Sequence, residues 1–161
     1  IAFNGDLRSS TDNSYDLGTI SNRWKEVYAT NGTINVSDKR LKTQITPISY
    51  GLNTIKKLKP VSYQWNNITE KERETKLGLI AQDLQKEVPE VVKTHHWETD
   101  EDTGERYKVE HDRLGVYYSD LIPVLIKGMQ EQQEIIEEMK ENMELQQEQI
   151  EELQRLLKEQ K

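Results

Sequence analysis

From Leu125 the chain steps by four and three without a break through Met129, Gln132, Ile136, Met139, Met143, Gln146, Ile150, Leu153 and Leu157. A 3.5-residue period held over more than four heptads predicts a helix that pairs with copies of itself. A lone amphipathic helix lying on its own core keeps a period of 3.6 instead. The flanking positions are mostly Glu, Gln and Lys, so only the seam has anything to bury. Gln132 and Gln146 fall at two d positions, fourteen residues apart. Buried amides there weaken a coil and fix its register. The seam composition alone leaves dimer and trimer both open.

The rest of the composition agrees with a chain that shares surface between subunits. Of 161 residues, 34% are hydrophobic and 32% charged, which is lean for one compact globule. The net charge of −7 is concentrated at the end: residues 131–161 hold ten acids and four bases, a balance of −6. The acidity therefore belongs to the helix and not to a binding face on the core. Cysteine is absent, which excludes disulfides, thiolate nucleophiles and Cys-based zinc sites. No apolar run approaches the roughly 18 residues of a membrane span, and no signal peptide is visible. The opening "IAFNGD" reads as mid-strand sequence, so the chain is expected to be a piece of a longer polypeptide. Asn31, Asn35 and Asn67 each start an N-x-S/T sequon; without a secretory signal these are read as chance.

Three parts follow from the patterning, and the fold class expected is α+β. Residues 1–36 are rich in Gly, Asn, Asp, Ser and Thr, with strand-like pieces such as "WKEVYA" and "TINV" between turn signals. They predict a stalk of small β-hairpins packed against copies of itself. Residues 37–120 predict a mixed core. "GLNTIKKLKP" carries Leu52, Ile55 and Leu58 at helical spacing before Pro60. "VSYQW" alternates Val61, Tyr63 and Trp65 on one strand face. "KLGLIAQDLQKEVPEVV" places Leu79 and Ile80 before a helix with Leu84 and Val88, broken by Pro89. "VVKTHHWETDEDTGERYKVEHDRLGVYY" predicts two strands joined by a polar turn. Residues 121–161 are the coiled-coil helix.

One short stretch, "NVSDKRLK" at 35–42, has the residue types for covalent chemistry. A serine hydroxyl becomes a nucleophile when a base removes its proton, and a neutral lysine is such a base. Free lysine titrates near 10.4, so it must be desolvated or set beside other cations; Lys39 and Arg40 flank Lys42. Spacing opposes the pairing. On a regular helix Ser37 and Lys42 are well off a shared face, and on a strand they point to opposite sides. A dyad needs a bend after Ser37 or a neighbouring subunit. The competing readings are a Ser37-Asp38 helix cap with solvated bases and a phosphate-touching patch.

Other candidates carry less. His95 and His96 lack a partner at metal-ligand spacing except His111, and a strand points the pair to opposite faces, so no metal is expected. "DEDTGE" has the acidity of a calcium loop without its twelve-residue pattern. Lys39, Arg40, Lys42, Lys56, Lys57 and Lys59 could touch phosphate. The aromatic interleaving and basic excess of a nucleic-acid module are missing, so neither nucleic acid nor membrane is an expected partner.

Three ordered blocks then carry a resemblance: "SDKRLKTQITPISYGLNTIKKLKPVSYQW", "GLIAQDLQKEVPEVV" and "YYSDLIPVLIKGMQEQQ". Together, over roughly residues 37–133, they resemble the self-cleaving intramolecular chaperone domain at the C-termini of phage endosialidases, tail spikes, tail fibres and neck appendages. A related domain occurs in membrane-tethered transcription factors. The preceding "YDLGTISNRWKEVYATNGTI" is similar to the stalk that often leads into it. The resemblance implies a homotrimer that templates folding of the preceding fibre in the host cytoplasm and then cuts itself away. It implies Ser37 as nucleophile and Lys42 as base, cleavage between Val36 and Ser37, and support from Asp38 and Arg40. No cofactor is implied. The partners implied are its own copies and the fibre portion of the same polypeptide. The alternative is a trimerisation foldon or receptor-binding tip that stays attached. Gly128 departs from the family, where Ala is frequent, and is read as a bend between core and coil.

Overall fold

A computed structural model describes residues 4–66 and 69–160 of the chain. The sequon residue Asn67 and the first three residues of "IAFNGD" lie outside the described residues. The chain is mixed α+β, with two small antiparallel sheets and one long C-terminal helix. It divides into two units: residues 44–93 with 114–161, and residues 1–43 with 94–113.

The first of these holds the hydrophobic core. Helix α1 (Leu52–Ile55) is short because "KKLKP" ends it within a turn of Pro60. Strand β1 (Val61–Tyr63) pairs antiparallel with β2 (Lys76–Gly78), in the register Val61 to Gly78 and Tyr63 to Lys76. Helix α2 (Ala81–Glu87) stops at Val88, whose φ of −142° is the extended backbone that a residue before proline prefers. Pro89 then opens a single 3-10 turn, Pro89–Val91, that feeds β3 (Val92–Thr99). Leu84, Val88, Val91 and Val92 from this run bury themselves against Leu121 and Val124 at the start of α3 (Leu121–Glu159). Ile55, Leu58, Leu79, Leu114 and Val116 close around them.

Two close approaches seat α1 on α3. Gly128 is buried, and a Cβ there would collide with Ile55 Cδ1 and approach the Leu52 nitrogen at 3.3 Å. One helical turn on, the Glu131 carboxylate accepts from the Leu52 backbone N–H at 2.7 Å. It covers Gly51 so closely that a side chain there would strike it. The carboxylate thus satisfies a donor that the first turn of α1 would leave orphaned. Gly128 lies within the uninterrupted span of α3 and has a packing role there.

The second unit contains most of the β3–β4 hairpin, where β4 is Arg106–Val116. Its turn is tied by Asp100, whose carboxylate accepts from the backbone of Asp102 and Thr103 at 3.0 and 2.8 Å. Gly104 takes φ +71°, a left-handed conformation that glycine adopts without strain. The acidic "DEDTGE" is therefore a hairpin turn. The hairpins expected at residues 1–36 are not seen among the described residues 4–36 of the single chain. Residues 4–36 carry turns and bends only, with Trp24, Val27, Tyr28 and Ile34 exposed. A strand needs a partner for its ladder, and the single chain supplies none in this stretch.

Candidate active site

Asp38 organises the site. Its backbone is extended (φ −68°, ψ 130°) and its side chain accepts from the Arg40 N–H at 2.8 Å, the geometry of an N-cap. The cap starts a 3-10 turn, Lys39–Leu41, closed by Leu41 N–H to the Asp38 carbonyl and Lys42 N–H to the Lys39 carbonyl, both at 3.1 Å. A 3-10 turn rises about 2.0 Å per residue with three residues per turn, so it folds the chain back sharply. The Lys42 side chain returns over the turn, and its Nζ lies 2.7 Å from Ser37 Oγ. This is the bend that a Ser-Lys pair at this spacing requires.

Asp38 has a second task. Its carboxylate grips the Arg40 guanidinium, with Nε 3.1 Å from both oxygens and Nη2 2.6 Å from Oδ2. That contact holds the Asp38 carboxyl below the ordinary carboxylate range and raises Arg40 in turn. Arg40 is thereby held on Asp38, while Lys42 reaches the Ser37 hydroxyl. The reading of Ser37-Asp38 as a cap is half right: Asp38 is the cap, and Ser37 is free to face Lys42. Two residues past Lys42, Gln44 sits at φ +51°, a conformation costly for a residue with a Cβ.

Ser37, Lys42 and Val36 are all solvent exposed in the single chain, Val36 at 77%. In the seam the apolar side chains Leu125, Met129, Ile136, Met139, Met143, Ile150, Leu153 and Leu157 are likewise exposed, between 38% and 69%.

The three histidines fall into two separate sets of contacts. His95 bonds Thr94 Oγ1 and packs edge-on to Trp97, while His96 faces the other way toward His111 and Glu98. Among the described residues no group of three or more His, Cys, Asp or Glu could hold a metal ion. No helix among them is long and apolar enough to cross a membrane. Sequence reasoning did not anticipate Glu98 and Tyr107 as part of this cluster. Asp100 N–H pairs with the Glu105 carbonyl, and the Tyr107 hydroxyl reaches Glu98 across the hairpin at 2.7 Å.

Residues 37–93 match the family model described as the chaperone of endosialidase, Peptidase S74. The chaperone-of-endosialidase match covers just over a third of the chain and opens on Ser37. A stretch of 46 residues, 29% of this chain, is 54% identical to the side tail fiber protein pb1 of Escherichia phage T5. The chain spans only 3% of that relative's length.

Proposed function

We propose that the chain is an intramolecular chaperone of a phage tail fibre or related appendage, acting as a homotrimer and releasing itself by one cut between Val36 and Ser37. The family match and the tail-fibre relative support the chaperone role. The observation that carries the cut is the 2.7 Å approach of Lys42 Nζ to Ser37 Oγ. In this reading residues 1–36 are the end of the fibre stalk, 37–120 the chaperone core and 121–161 the coil. The setting is virion assembly in the host cytoplasm.

A serine attacking the carbonyl just before it closes a five-membered ring, so nucleophile and carbonyl are held together by the chain itself. What the fold must supply is the base. Ser37 Oγ attacks the Val36 carbonyl carbon while the Lys42 amine takes the hydroxyl proton. The Val36–Ser37 C–N bond breaks, and that proton passes to the departing Ser37 amine. The acyl group of Val36 is now an ester on Ser37 Oγ. Water hydrolyses it, leaving a Val36 carboxylate and a free Ser37 N-terminus.

Lysine must act as the free amine, and desolvation favours that form. Lys42 is exposed in the single chain, so the burial has to come from neighbouring copies. This makes assembly the trigger: the cut reports a completed trimer. Once the helper has left, the fibre is held by its unfolding barrier, which is kinetic stability.

Mass spectrometry of the purified chain tests the reading. The unmodified chain yields a product beginning at Ser37. Ser37→Ala and Lys42→Ala stay whole and still assemble. Lys42→Arg also stays whole, because a guanidinium does not give up its proton. Ser37→Cys retains part of the activity, since a thiol needs less help. Full cleavage in Ser37→Ala overturns the mechanism and leaves the attached foldon or receptor-binding tip as the better account.

A further inference from the structure

An apolar groove opens beside the first turns of α3, lined by residues of the core unit alone. Ile55, Leu58 and Leu77 form part of its wall, and α3 supplies Leu121, Val124 and Leu125. No charged or polar side chain lines it. It holds about 360 Å³, more than twice the roughly 150 Å³ at which an apolar cavity takes up a benzene-sized group. Leu77, on the short strand β2, lines the groove while remaining 82% exposed.

We propose that this groove is a socket for Ile126 of the neighbouring copy, so that each chain of the homotrimer fills the groove of the next. The inference rests on the trimeric coil of the proposed function.

The heptad phase leads to this residue. With Gln132 and Gln146 at d, Leu125 is also a d residue. Leu121 and Gly128 then fall at g, and Val124 and Glu131 at c. The stripe that packs on the chain's own α1 and core is therefore the g/c flank of α3, and the groove opens on that flank. Ile126 is an e residue. At about 100° per residue it lies about 140° round the helix from Leu121, facing away from the groove of its own chain. A three-fold axis makes all three helices parallel. In a parallel coil the g row of one helix lies against the e row of the next. Each g residue meets the e residue five positions on, which sets Leu121 of one chain beside Ile126 of its neighbour.

Composition singles out the same position. The e row reads Ile126, Gln133, Lys140, Gln147 and Gln154. One of the five is apolar, and it is the one level with the groove. An amide or ammonium at that level would be buried against an uncharged wall without a partner; an isoleucine is not penalised there. Ile126 is 52% exposed in the single chain, so it is available to a neighbour. The groove is also continuous with the seam, because Leu125 belongs to both. Every chain gives one isoleucine and receives one, a head-to-tail contact that a three-fold ring closes. Assembly through the coil would then also complete the core of each chain.

The chain holds no cysteine, so introduced pairs report proximity without background. In the full chain, Leu77→Cys combined with Ile126→Cys should oxidise to a covalent ring of three on a non-reducing gel. Either single variant can join two chains at most. Leu153→Cys, at a d position, reads the coil separately and should give cross-linked pairs. Pairs from Leu153→Cys without a ring from the double variant overturn the socket and leave the trimer standing. A disulfide closed inside one chain, running as a monomer, overturns the socket as well. A chain that sediments as a monomer and gives no Leu153→Cys pairs overturns the trimer and the socket together. Because Ile126 is exposed in one chain, Ile126→Ala should leave the monomer folded. It should raise the midpoint concentration for dissociation more than about tenfold, while Gln133→Ala, at the next e position, changes it less than about threefold. Equal effects at the two positions overturn the proposal.

Discussion

The two ends of α3 obey the same sequence statistics and opposite packing. In its first three turns Leu121, Val124 and Gly128 turn inward and are buried, with Glu131 half-buried behind them, all against the chain's own α1 and core. On the neighbouring face, Leu125 and Met129 begin the seam and are exposed. Among the described residues, 132–160 are all exposed. The apolar residues of the helix are among them, and its own surface is laced by i,i+4 contacts such as Gln133 to Glu137 and Gln147 to Glu151 at 2.7 Å. The helix is thus a member of the core at one end and unfinished at the other, where the proposed coil would bring other copies onto the seam.

The largest expected effect strikes the unfinished end. Replacing Ile136 and Ile150 by Asp would place charges in the proposed coil, and a buried charge without a partner is strongly destabilising. Sedimentation should show the trimer replaced by monomer, with cutting at Val36–Ser37 lost in parallel. An unchanged trimer would sink the coil. Cutting by a proven monomer would keep the Ser-Lys chemistry and discard assembly as its trigger.

Next comes a matched pair of truncations. Leu84 is 2% exposed at the finished end, so Leu84→Ala should cost about 2–5 kcal/mol whatever the protein concentration. Leu153 is 59% exposed in one chain. Leu153→Ala should lower the melting temperature only through assembly, so its effect should grow as the protein is diluted. Concentration-independent loss at Leu153 would mean that the same chain covers it. A gentler test uses the amides. Changing Gln132 and Gln146 to Leu should raise the melting temperature while loosening the oligomer choice, since buried amides exchange stability for register. A lower melting temperature with the trimer intact would count against their lying in the seam.

How far the sequence carried varies by region for physical reasons. The long helix, α2 with its stop at Pro89, the β3–β4 hairpin and the need for a bend after Ser37 were legible, because each is set by local period or local turn chemistry. Strand β2 was not, since three residues are too few to show alternation. The cap of α1 by Glu131 joins residues 79 apart, and no local pattern announces such a partner. The hairpins expected in residues 1–36 show the reverse failure. Strand-like composition states a capacity to pair, and residues 4–36 of one chain leave it unused.

The smallest effect tests the boundary between the two ends of α3. Gly128 invites substitution, because in a helix interior Ala is better than Gly by about 1 kcal/mol. In the seam beyond residue 132 such a change would simply stabilise. At Gly128 the added Cβ meets the Ile55 side chain, with the Leu52 nitrogen 3.3 Å away. Overpacking of this kind typically costs 1–3 kcal/mol, reduced here because Ile55 Cδ1 is the end of a side chain that can rotate. The two terms leave Gly128→Ala net destabilising by about 1 kcal/mol, within reach of a denaturant titration. Ile55→Val shortens the colliding arm and should recover much of that loss in the double mutant, a coupling that only direct contact produces. If Gly128→Ala stabilises the chain with no coupling to Ile55, α1 does not rest on that turn. The inward stripe would then end before residue 128 and the unfinished end of the helix would begin earlier.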